Sequence, residues 1–66
     1  MEIVTVRTQD NSEYSVPALL LEDWNDGRAL IEFAAGNRRI VALDALAPGT
    51  AADRQEFEDA RARWIN

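Results

Sequence analysis

The chain has 66 residues and a formal charge of −5, from twelve acids against seven arginines, with no lysine, cysteine or histidine. A domain of this size buries only about 60% of its unfolded surface, no disulfide can staple it, and the usual zinc ligands are missing. The acidic balance disfavours nucleic acid, whose binding rests on basic groups displacing counterions. No apolar run approaches the ~20 residues that span a bilayer. At 47% apolar, the composition is that of a folded chain rather than a disordered one. The N-terminal Met-Glu-Ile-Val lacks the basic-then-apolar pattern of a signal peptide. The expectation is a single cytoplasmic domain over residues 1–66, with a β barrel over 1–48 and a C-terminal helix over 50–65. Arginine used without lysine reads as coding bias.

Glu2 to Thr8 is rich in β-branched residues and reads as a first strand. Gln9-Asp10-Asn11-Ser12 is a polar turn cluster, after which Glu13-Tyr14-Ser15-Val16 resumes alternation, so the first two strands predict a hairpin with a four-residue loop. Pro17 cannot donate to a sheet ladder and belongs at an edge, a bulge or a corner where a long strand bends. The next strand, Ala18 to Glu22, is separated from Ala29-Leu30-Ile31-Glu32-Phe33 by Asp26-Gly27. Gly36-Asn37 then separates that strand from Ile40-Val41-Ala42-Leu43. Asp-Gly and Gly-Asn favour the mirror-image turns that join antiparallel strands.

Ile31 and Phe33 share one strand face and are expected in the core, whereas both faces of the fourth strand are apolar and periodicity does not choose between them. Asp44 to Gly49 predicts a short closure with one turn of 3₁₀ helix. Thr50 with Asp53 forms a helix-start signature, and the run to Ile65 is free of proline and glycine. Phe57, Ala60 and Trp64 form a narrow apolar stripe that Arg61 interrupts, which predicts packing on the sheet through Phe57 and Trp64. Asp59 and Arg63 stand at a favourable ion-pair spacing.

Little here carries chemistry. With no histidine or cysteine, acid–base and nucleophilic roles are poorly supplied, and no enzyme activity, catalytic residue or cofactor is expected. The acids Glu22, Asp23 and Asp26 surround a turn but lack the ligand spacing of a calcium loop, so no metal site is expected. Arg38 and Arg39, with Arg28 across the hairpin, would form a local basic patch, or else pair with Glu32 and other neighbours. Trp24 abuts Asn25-Asp26-Gly27, where few side chains can cover an indole. It is either a binding anchor or a lid folded back on Trp64 or Leu46. The candidate binding residues are therefore Trp24, Asp26, Arg28, Arg38 and Arg39.

The segment Phe33-Ala34-Ala35-Gly36-Asn37-Arg38-Arg39-Ile40-Val41, followed by Leu43 and Leu46-Ala47-Pro48, resembles the second half of a Tudor-type SH3-like small barrel. Trp24-Asn25-Asp26-Gly27-Arg28-Ala29 is similar to the earlier Asp-Gly hairpin of that family. The resemblance covers about half the chain and implies a mainly β fold, an SH3-like barrel or curled antiparallel meander of four or five strands. One departure bears on function: Ala34 and Ala35 stand where a reader of methylated side chains would supply an aromatic wall. The expected function is that of a non-enzymatic protein-interaction or assembly module, an accessory protein that binds another protein or a second copy of itself. The alternatives are a nucleic-acid-binding barrel using Arg28, Arg38 and Arg39, or an acidic inhibitor.

Overall fold

The computed structural model describes residues 2–7 and 15–65. The fold is mainly β, with strands β1 (Glu2–Arg7), β2 (Ser15–Asp23), β3 (Arg28–Phe33), β4 (Arg38–Ala42) and β5 (Leu46–Pro48), and a helix α1 (Ala51–Ile65). A 3₁₀ turn, Leu43–Ala45, links β4 to β5. The five strands form one antiparallel sheet in the order β4-β3-β2-β1-β5. The expected loop between the first two strands lies outside the described residues.

The sheet is open, with β4 and β5 as its edges, and barrel closure is not made by strand pairing. It is nevertheless curled. The four Cα steps from Ala42 to Leu46 reach at most about 14 Å, whereas five strands laid flat hold their edges about 19 Å apart. Val41 from one edge and Leu46 from the other both pack on the cluster of Val4, Val6, Ala18 and Ile31. The concave face is therefore the main core, with Ile31 fully buried and Phe33 packed against it, as the strand alternation predicts.

The opposite face carries α1. Ile3, Leu19 and Phe57 form its buried cluster, with Leu21 and Ala34 packed alongside. The helix starts on a reciprocal cap: the Thr50 Oγ1 accepts from the Asp53 amide at 3.2 Å, and the Asp53 carboxylate accepts from the Thr50 amide at 2.8 Å. Trp64, expected to pack on the sheet, is instead 70% exposed. Phe57 alone of that pair is buried.

Pro17 sits where β2 is paired on one side only, an edge position as expected. It lies inside the continuous central strand β2, opposite Thr5. The ladder to β3 begins one residue later, at Ala18↔Phe33. By the alternation of bonded pairs, the missing Pro17 N–H points to that unladdered side, so no bond is lost. The irregularity in β2 comes between Leu20 and Glu22. The extra residue there places Leu21 against the helix cluster and leaves Glu22 on the same sheet face.

Both described hairpins use three-residue loops rather than the expected two-residue turns. Trp24 N donates to Arg28 O at 3.1 Å around Asn25-Asp26-Gly27, and Phe33 N donates to Asn37 O at 2.9 Å around Ala34-Ala35-Gly36. Each loop ends on a glycine at positive φ, 88° at Gly27 and 98° at Gly36. That residue supplies the left-handed turn back into the strand.

Candidate functional site

The β2–β3 loop is built by its own acids. Asp23 Oδ1 accepts from the Asn25 amide at 2.9 Å, supporting the left-handed Asn25 (φ 61°), and Asp26 Oδ1 accepts from the Arg28 amide at 3.1 Å. The other Asp26 oxygen holds the Arg28 guanidinium at 2.8 Å. This side-chain bond to Arg28 keeps the Asp26 carboxyl below its ordinary range and raises the arginine. The guanidinium in turn sits 5.5 Å from the centroid of the Trp24 ring. The indole Nε1 donates to Glu22 at 3.0 Å. Trp24, Asp26 and Arg28 thus come together, with Glu22, read from the sequence only as one of the acids around the turn, as a fourth member.

Trp24 belongs to neither buried cluster and is 37% exposed. One hydrogen bond and one cation hold the large ring, and over a third of its surface stays open to solvent.

The three arginines do not form one patch. Arg28 lies opposite Ala42 and Arg38 opposite Glu32, at the two ends of the β3–β4 ladder. Four strand residues apart, they are about 13 Å from each other. Arg39 alternates to the concave side, opposite Ile31. Arg38 donates through Nε to Glu32 at 3.0 Å, so it is engaged in the pairing anticipated for it.

Glu32 is the junction between sheet and helix. Arg61 reaches it from α1 at 2.5 Å, and the same guanidinium donates to the Phe33 carbonyl at 3.2 Å and the Ala34 carbonyl at 3.4 Å. It also lies 4.7 Å from the Phe57 ring centroid. Arg61, and after it Arg38, hold the Glu32 carboxyl below the usual range. The interruption in the helix stripe is thus the helix's second attachment. The i,i+4 signal at Asp59 resolves differently, because Asp59 accepts from Gln55 at 2.9 Å, one turn earlier.

The pairing register places Trp24, Arg28, Leu30, Ile40 and Ala42 on the helix-bearing face. There α1 packs on Ile3 of β1 and on Leu19 and Leu21 of β2. The part over β3 and β4 is a shoulder beside the helix, where Ile40 is 50% exposed and Leu30 half-buried. Periodicity could not find Ile40, since both faces of β4 are apolar. Only the strand register assigns Val41 to the core and Ile40 to solvent.

A depression of about 280 Å³ at the start of α1 is lined by Ile3, Pro48, Gly49, Thr50 and Ala51, with Glu2 and Arg54 as its charged members. Among the described residues no group of three or more metal-ligating side chains is gathered. No helix there is long and apolar enough to cross a membrane. Comparison with family models, with curated proteins and with solved structures finds no match to this chain.

Proposed function

We propose that this chain is a small non-enzymatic protein-interaction or assembly module whose contact surface is the shoulder beside the helix. Trp24 is its anchor, Arg28 and Asp26 fix the ring, Ile40 extends the apolar area and Arg38 flanks it, while Arg39 lies at the same sheet edge on the other face. The partner is another protein or a second copy of the chain. In the same reading the curled meander is an SH3-like barrel left open between β4 and β5. The short 3₁₀ closure and the bulged long β2 support that view. The observation that carries the proposal is Trp24, a large ring held in place by Glu22 and Arg28 while remaining exposed. Large rigid rings lose little entropy on contact and are enriched among interface anchors.

The test compares wild type with Trp24→Ala in co-purification, sedimentation and thermal melting. Association should weaken by about 2 kcal/mol, about 30-fold, with little change in melting. A mutant that melts much lower but associates normally where folded makes Trp24 a structural residue and ends the anchor reading.

A further inference from the structure

The backbone of β4 offers a second, more specific recognition element. Leu43 N donates to Gly27 O and Phe33 N to Asn37 O, each at 2.9 Å, which fixes the phase of the β3–β4 ladder. Bonded and non-bonded pairs alternate between these ends. Arg39 and Val41 therefore turn their N–H and C=O groups toward β3, and Arg38, Ile40 and Ala42 turn theirs outward. No strand of the described sheet lies on that side. All three outward residues are exposed. An exposed row of unpaired strand groups is a template for another strand.

We infer that the β4 edge accepts an extended acidic segment of a partner protein as an added strand, an inference that rests on the module reading above. Charge complementarity selects the occupant. The positions opposite Arg39 and Val41 in the added ladder would be non-hydrogen-bonded pairs, where facing side chains come closest. Arg39 is exposed and has no ion pair among the described residues. A carboxylate opposite Arg39 gains a charge-assisted partner, and an apolar residue opposite Ile40 covers that side chain. A second copy fits less well: it would set one arginine-bearing β4 against another and bring two chains of −5 together. The turn into the 3₁₀ helix at Leu43 limits the added strand to about five residues.

The probe is an acetylated, amidated seven-residue peptide of alternating Glu and Val, with a Lys-for-Glu version beside it. Binding is read by amide exchange and chemical shifts. The acidic peptide should slow exchange at Ile40 and Ala42 about tenfold or more, leaving the amides of Arg39 and Val41, already bonded to β3, unchanged. Arg39→Glu should weaken binding about tenfold. Ile40→Pro should abolish it, since that position lends its N–H to the outer edge and not to β3. Equal binding of the Lys peptide, protection elsewhere, or concentration-dependent protection of Ile40 without peptide each overturns the proposal, the last in favour of a β4–β4 dimer. If Ile40→Pro does not fold, Arg39→Glu decides alone. If wild type ignores the peptide while Trp24-dependent association persists, the edge inference fails and the module stands. If both are absent, both fail.

Discussion

At Gly49 the chain leaves β5 and enters α1, and the glycine amide donates to the Ile3 carbonyl at 3.0 Å. A Cβ there would clash with the Ile3 Cγ2 and lie 2.8 Å from the Ile3 carbonyl oxygen. The neighbour is partly backbone, held in the β1 ladder, and cannot swing away. Gly49→Ala should therefore destabilise the fold by about 1–3 kcal/mol, lowering the melting temperature on the order of 5–20 °C. A denaturant titration checks it, and an unchanged midpoint would show that the β5–α1 link yields to the added methyl. Phe57 is the complementary case. Among the described residues it is the helix's one buried side chain. Phe57→Ala should cost about 3–5 kcal/mol, a large share of what a domain this small possesses. Loss of helical circular dichroism ahead of the β signal would mark undocking of α1 alone.

At the scale of elements, α1 is held by Phe57 and by the Arg61–Glu32 pair, and the second hold is sensitive to pH. The folded Glu32 carboxyl is held below its ordinary value, chiefly by its bonds to Arg61 and Arg38. A depressed acid contributes stability that is present above the unfolded value, about 4.3, and is lost as pH falls through the lower folded one. Stability should thus be level above about pH 5 and decline in more acid solution. Glu32→Gln should flatten that decline and speed amide exchange in the last turns of α1. An acid limb identical in the mutant would assign the pH dependence to other groups. Sequence pattern foresaw the helix, its cap and Phe57, but not this attachment. Phe57–Ala60–Trp64 and Phe57–Arg61 both satisfy helical spacing, and what selects the second is the position of Glu32 on a strand far away in sequence. The same limit explains β4 and β2. Local turn chemistry located both described hairpins but gave their loops one residue too few. The tolerance of Pro17 depends on where the β3 ladder ends, a pairing fact that composition does not carry.

For the whole molecule, curl and charge together decide which partners are reachable. The candidate residues were legible individually, as an indole beside a turn and arginines after one. Their separation was not, because strand register splits neighbouring Arg38 and Arg39 between two faces and sends Arg28 to the far end of the ladder. A groove that tracks a phosphate backbone needs basic groups on one continuous surface, and each phosphate neutralised adds to the salt dependence of binding. Here Arg28 and Arg38 are already engaged by Asp26 and Glu32, and the net charge of −5 repels a polyanion at long range. Affinity for single- or double-stranded DNA and RNA should therefore be weaker than about 10 μM at physiological salt, approaching the range of non-specific contact, and should fall steeply as salt is added. Fluorescence anisotropy with labelled oligonucleotides at two salt concentrations measures this directly. Submicromolar binding that Arg38→Ala plus Arg39→Ala abolishes would reverse the ranking and make the β4 edge a nucleic-acid surface. Weak binding unaffected by the double substitution would leave these arginines to a protein partner, where a single carboxylate beside Arg39 needs no continuous basic track.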